Sequence, residues 1–258
     1  LGATLKFASL GSGSSGNATL ISDGDTMLLV DCGFAVKETE RRMARIHVTP
    51  QELSAIVVTH EHADHVKGVA PLARRYDIPV YMTEGTLASR DFGRLPRLYL
   101  IKNYASFAIG KIHVTPVVVP HDAREPAQYV FEADHGIRLG VLTDLGSITP
   151  HVIEAYKNCH GLVVEANHDL DMLAAGPYPP ALKSRVAGQW GHLNNMQTAE
   201  FLASCDLPNI QQLVVGHISE KNNTVEQVKF ELQDIIQRAN SIHFACQEHG
   251  FDWLQLRS

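Results

Sequence analysis

Short runs rich in Val, Ile and Leu recur along the chain, each closed by glycine, proline or an acidic turn. That pattern predicts buried strands alternating with helices. Residues 5–10, 18–21 and 27–30 read as three strands, the last two paired around Ser22-Asp23-Gly24-Asp25. Residues 36–46 repeat at helical spacing with Arg41, Arg42 and Arg45 outward. Thr49-Pro50-Gln51-Glu52 is a capping box with proline at the first helical position, leading into a strand over 55–58. A helix over 66–76, a strand over 79–82 and a helix over 84–92 follow, and Arg90, Arg94, Arg97 and Lys102 put four positive charges into thirteen residues, read as an exposed loop face with a phosphate-contacting rim as the alternative. Alternation over 105–109 and 112–119 predicts a hairpin turning at Gly110-Lys111, and a second hairpin joins 129–133 to 137–143. Strands at 162–165 and 211–215 are separated by helices near 169–175, 180–187 and 195–204. A helix near 224–239 precedes a terminal hairpin of 241–245 with 251–256. Hairpins mixed with strand–helix alternation imply an α/β protein of two mixed sheets covered by helices on their outer faces.

Composition narrows the class. With 258 residues, 45% of them hydrophobic, the chain can bury a sizeable core as a single domain over residues 1–258. The formal net charge of −6 gives no global basic field, so a polyanionic partner has to be held by a local patch or by metal. Cys32, Cys159, Cys205 and Cys246 lie far apart with no Cys-x-x-Cys, against a disulfide framework or a thiolate zinc knuckle. No run approaches the roughly 18 apolar residues of a membrane helix, and the expectation is a cytoplasmic protein without a membrane partner.

The chemistry concentrates in Thr59-His60-Glu61-His62-Ala63-Asp64-His65, which leaves the 55–58 strand at its C-terminal edge. Open α/β sheets bind ligands there. Imidazoles and carboxylates without thiolate suit a divalent metal such as Zn²⁺, with Mn²⁺ or Fe²⁺ as alternatives that sequence does not separate. His121, Asp144 and His217 also fall at or just after predicted strand ends, so one edge of the structure could gather seven ligands, enough for two ions. The loop Gly11-Ser12-Gly13-Ser14-Ser15-Gly16-Asn17 can present N–H groups and hydroxyls to an anion, but no Gly-Lys-Ser/Thr follows and it is not a P-loop.

The motif Thr-His-x-His-x-Asp-His, with single ligands following in order, resembles that of the metallo-β-lactamase fold superfamily. The resemblance implies a single αββα sandwich of two similar halves. It also implies that His60, His62 and His121 hold one metal, that Asp64, His65 and His217 hold the other, and that Asp144 bridges them. Trp190-Gly191-His192-Leu193-Asn194-Asn195 followed by Leu213-Val214-Val215-Gly216-His217-Ile218-Ser219 is similar to paired blocks of the RNase Z group. The glycine-serine loop, Glu165-Ala166-Asn167-His168-Asp169 and Gly176-Pro177-Tyr178-Pro179 look like the bacterial YycJ/WalJ group, which is associated with DNA 5′-exonuclease activity. No glycine-rich arm for gripping tRNA is visible.

From this follows an expected mechanism. Two ions about 3.5–4 Å apart bring a bridging water to hydroxide near neutral pH for attack on a phosphodiester. His192 is the expected general acid, Asp64 its catalytic companion among the ligands, and Asp31 and Glu165 are expected to fix imidazole tautomers. Ser14, Ser15 and Asn17 are candidates for a terminal phosphate, Lys183 and Arg185 for the backbone phosphates, and Asn167 and His168 for substrate contact. The expected partner is DNA, with 5′-phosphorylated ends, or a small phosphodiester. The rival readings are a phosphodiesterase for a small nucleotide or phosphonate, a thioesterase or lactonase, and a non-catalytic metal-dependent sensor or assembly protein.

Overall fold

The computed structural model describes residues 4–205, 207–238 and 241–258. Its strands form two seven-stranded sheets. The first runs β14 (Phe251–Arg257), β1 (Thr4–Gly11), β2 (Ala18–Ser22), β3 (Met27–Val30), β4 (Ala55–Val57), β5 (Val80–Thr83), β6 (Leu98–Ile101). The second runs β13 (Ile242–Phe244), β12 (Gln212–Gly216), β11 (Gly161–Glu165), β10 (Ile137–Leu142), β9 (Ala127–Ala133), β8 (Ile112–Val118), β7 (Phe107–Ile109). Each sheet begins antiparallel and ends parallel: β3 to β6 in the first, β10 to β13 in the second. The expected αββα architecture of two similar halves is the architecture observed.

The alternation of apolar residues explains the layering. Leu28 and Val30, and Ala55 and Val57, enter the layer between the sheets, while Leu29, Ile56 and Val58 between or beside them face the helices. Val163 and Val214 do the same in the second sheet, with Leu162, Val164, Leu213 and Val215 on its outer face. Strands buried on both faces therefore read as continuous apolar runs. Helices α1 (Val36–Arg45) and α3 (Val69–Tyr76) cover the first sheet, and α5 (Pro150–Tyr156), α8 (Asn195–Cys205) and α9 (Val225–Glu231) the second. Tyr129, fully buried in the central layer, donates its hydroxyl to Val58 O at 2.6 Å, and Ala127 N–H donates to Thr59 O at 3.0 Å. The two sheets are thus tied together immediately before the histidine loop.

Several sequence expectations change. The 66–76 helix is two pieces, α2 (Ala63–Val66) and α3, parted at Gly68. The helix over 84–92 stops early as α4 (Glu84–Ser89), and the basic loop after it contains β6, a four-residue edge strand Leu98-Tyr99-Leu100-Ile101 that was not read from the sequence. Helix α5 was not read from the sequence, although Thr149-Pro150 caps it as Thr49-Pro50 starts its own 3₁₀ turn. The 224–239 helix breaks at Leu232 into α9 and α10 (Gln233–Arg238), and Ala239 lies outside the described residues. The terminal hairpin does not form: β13 joins β12 in one sheet and β14 joins β1 in the other. Leu256 of β14 is buried in the layer between the sheets, with Phe251 and Leu254 packed against the same cluster.

Candidate metal centre

The first cluster is built by the turn after β3 and the loop after β4. Asp31 has a left-handed backbone at φ 60°, a conformation stored at a cost of order 1–3 kcal/mol. That turn aims its buried carboxylate at the histidine loop, where it accepts from Thr59 N–H (2.8 Å) and Thr59 Oγ1 (2.7 Å). His65 Nδ1–H donates to the same carboxylate at 2.8 Å, which fixes the tautomer and leaves Nε2 facing Asp144 Oδ2 (3.2 Å) and Asp64 Oδ2 (3.5 Å). Two residues after Asp31 the chain needs glycine, because a Cβ on Gly33 would stand 1.8 Å from the carbonyl oxygen of Asp64. Asn17 completes this wall: its N–H donates to Asp64 O at 2.8 Å, and its Nδ2 lies 3.0 Å from His65 Nε2.

The second sheet supplies single residues. His121 follows β8 and donates Nδ1–H to Gly191 O at 3.0 Å, placing Nε2 3.3 Å from His62 Nδ1. Asp144 follows β10, buried, with Oδ1 3.2 Å from His217 Nδ1. His217 follows β12 with φ 50°, its N–H held by Ser12 Oγ at 2.8 Å. Glu165 ends β11 wholly buried and accepts His192 Nδ1–H at 2.9 Å and Leu145 N–H at 2.8 Å. Donor atoms of His60, His62 and His121 lie mutually within 4.8 Å, as do those of His60, His65 and Asp144, and those of Asp144, His192 and His217.

Electrostatics follow from burial. Desolvation pushes His60 well below the ordinary imidazole range, reinforced by His65. It also holds His121 and His192 down to about 4. Burial opposes a charge on Asp144, but His217 and His65 outweigh it and keep the carboxylate well below its usual range. Burial, with Asp144 beside it, pushes Glu165 well above.

These residues fit divalent metal. The donor set is imidazole and carboxylate, and His60 Nε2 is buried with no hydrogen-bond partner among the described residues. A ring nitrogen left so costs roughly 1–3 kcal/mol. A metal bond would satisfy it.

A cleft of ≈ 320 Å³ opens onto the cluster, lined by His62, Asp64, Asp144, His192 and His217 together with Ser14, Asp122, Tyr178 and Arg185. Of the substrate candidates, Ser14 and Arg185 line it. Ser15 is exposed beside it, with its N–H donated to Gln247 Oε1 at 2.7 Å. Asn17 is spent on the metal-loop wall. Lys183 is not among the lining residues and donates to Ala174 O at 2.5 Å. Asn167 and His168 are buried away from the cleft, Asn167 Nδ2 bracing His217 O at 3.2 Å. Sequence reading assigned no role to Asp122, whose Oδ1 lies 3.5 Å from His121 Nε2 and whose Oδ2 pairs with Arg185 Nε. The Pro120-His121-Asp122 run was its only signal. Tyr178 was visible only as part of the Gly176-Pro177-Tyr178-Pro179 motif.

The sequence matches the Beta-lactamase superfamily domain over residues 26–218. The metallo-β-lactamase fold protein YhfI from Bacillus subtilis superposes with a TM-score of 0.74 at 16% identity, covering 98% of this chain and 99% of that one. Fold and centre together define a metal-dependent hydrolase of the β-lactamase superfamily. Exodeoxyribonuclease YycJ of Bacillus anthracis is 33% identical over 90% of this chain and 89% of its own length. Exodeoxyribonuclease WalJ of Streptococcus pneumoniae is 34% identical over 86% and 84%. The chain belongs to this YycJ/WalJ family. Among the described residues no helix is long and apolar enough to cross a membrane.

Proposed function

We propose that the protein is a DNA 5′-exonuclease, acting as a single domain with two divalent ions. The observation that carries the reading is His192: part exposed at 21%, lining the cleft, and anchored through Nδ1 to a fully buried Glu165 beside Asp144. Relatives of this family carry the name exodeoxyribonuclease, which supports DNA as the substrate.

His60, His62 and His121 would hold one ion, Asp64, His65 and His217 the other, with Asp144 between them; Zn²⁺ or Mn²⁺ suits the donors, and Fe²⁺ is compatible. When bound, such ions supply charge stabilisation at a phosphoryl oxygen and a nucleophile at neutral pH. The chain's own residues do the rest. Asp31 orients His65, and Glu165 orients His192 so that Nε2, its other nitrogen, is left to protonate the departing oxygen. Burial, with His217 beside it, holds His192 down to about 4, and the negative charge of a phosphodiester beside the ring acts in the opposite direction. Arg185 and the Ser14 hydroxyl would meet the phosphate at the wall.

A small nucleotide diester is the second reading. A cleft of ≈ 320 Å³ lies at the lower end of the range for small-molecule sites, and the net charge of −6 is unusual for a nuclease. Metal analysis followed by digestion of end-labelled duplex DNA, with and without a 5′-phosphate, separates the two. The exonuclease reading expects mononucleotides released from the 5′-labelled end, faster with the phosphate, and binding that falls steeply between roughly 50 and 200 mM salt. Turnover of a small phosphodiester with intact DNA would overturn it. A cytoplasmic location is part of the proposal.

A further inference from the structure

Two aromatic residues, one lining the cleft and one exposed on the loop that supplies part of its wall, have no part in the chemistry above. Tyr178 lines it, with Lys221 Nζ 5.8 Å from the ring centroid. Trp190 lies on the loop that carries Gly191 and His192, and its side chain is 61% exposed.

The backbone of that loop is held on both sides. Trp190 O accepts Asp122 N–H at 2.9 Å, Gly191 N–H donates to Gly188 O at 2.9 Å, and His192 N–H donates to Val186 O at 2.9 Å. Ser147 Oγ donates to Gln189 O at 3.1 Å. The loop closes directly on the end of α7 (Pro180–Val186): a Cβ on Gly191 would stand 2.2 Å from the carbonyl oxygens of Arg185 and Val186. Trp190 is therefore fixed between Asp122 and Gly191, both of which line the cleft. An indole is the largest apolar side chain, and one held mostly in water at a fixed point beside a reactive centre is a ready surface for a flat partner.

The chemistry around it selects that partner. A phosphodiester at the centre, cations at Arg185 and Lys221, and aromatic faces at Tyr178 and Trp190 together match single-stranded nucleic acid, whose bases are free to stack. Bases inside a duplex offer their faces only to each other. Resting on the nuclease reading, we propose that Trp190 and Tyr178 are stacking platforms for unpaired bases flanking the scissile phosphate. The site then takes a single-stranded or frayed end, and a blunt duplex enters only after its terminal pairs open.

The test uses the metal-loaded protein with a 5′-phosphorylated single-stranded oligodeoxynucleotide, the blunt duplex of the same sequence, and methyl p-nitrophenyl phosphate. Stacking on one base predicts that Trp190→Ala raises KM for the single strand about 5- to 150-fold, with Tyr178→Ala in the same range. Trp190→Phe should retain most of the affinity, and kcat/KM on the small diester should stay within about twofold for Trp190→Ala. Binding is read separately by fluorescence, because the chain has two tryptophans and Trp253 is engaged with Ile46 O at 3.3 Å. A phosphorothioate single strand should quench emission in the wild type and not in Trp190→Phe, and the duplex should quench less. Unchanged KM in both alanine variants, on a strand the wild type degrades, would overturn the platforms and leave the nuclease reading standing. Quenching by single strands without any cleavage would do the reverse. Equal quenching by strand and blunt duplex, or a shift from dimer to monomer in Trp190→Ala at constant KM, would also overturn the proposal.

Discussion

Each sheet ends one strand in a buried carboxylate that holds a histidine by Nδ1, and the two histidines differ in what they face. Asp31, after β3, binds His65 at 2.8 Å, and His65 is completely enclosed with Nε2 toward Asp144 and Asp64. Glu165, ending β11, binds His192 at 2.9 Å, and His192 keeps 21% exposure in the cleft wall. On the proposed reading one arrangement would serve two purposes: in the first sheet it would fix a metal ligand, and in the second it would hold a proton donor where substrate can reach it. The difference lies in enclosure, not in the carboxylate–imidazole bond, which is nearly the same length in both.

The comparison can be broken at several points. Asp144 stands between the two sides, and Asp144→Ala should release metal and lower activity by about 10³-fold or more, checked by metal analysis beside the rate. Asp31→Asn should weaken metal affinity about 10- to 100-fold, read by chelator competition, with activity restored at saturating metal. Glu165→Gln should leave metal content unchanged and lower kcat, because the tautomer of His192 is no longer fixed; loss of metal instead would make both carboxylates supports of the same centre. Lys183→Ala should change KM for DNA by less than about twofold, since its ammonium is occupied outside the cleft; a larger effect would place it on the substrate path.

How much of this was legible in the sequence follows from the range of the interactions. The layering was, because Leu28-Leu29-Val30 and Ala55-Ile56-Val57 state both faces of a buried strand locally. The histidine loop was, because four donors within six residues need only one turn to converge. Asp122 and Tyr178 were not, since each reaches the cleft only after distant loops pack. Lys183 and Arg185 show a signal that was available: residues two apart on a helix face different ways. Arg185 shares the cleft face with Leu182 and Val186, and Lys183 does not. Asn167 and His168 are buried strand-end polar residues like Asp144 and His217, and only the packed structure shows that the first two do not line the cleft. The terminal strands separated because β14 pairs with β1 and packs Phe251, Leu254 and Leu256 in the layer between the sheets, which no local pattern records.

The geometry also sets the decisive measurement. Donor atoms of His192 lie within 4.8 Å of those of Asp144 and His217, close enough for His192 to act as a ligand. Metal content and single-turnover rate of His192→Ala, measured on the same preparation, separate the roles. The account predicts two ions per chain, as in the wild type, and a rate on DNA lower by about 10²- to 10⁴-fold. An undiminished rate, or the loss of an ion with the ring, would contradict it.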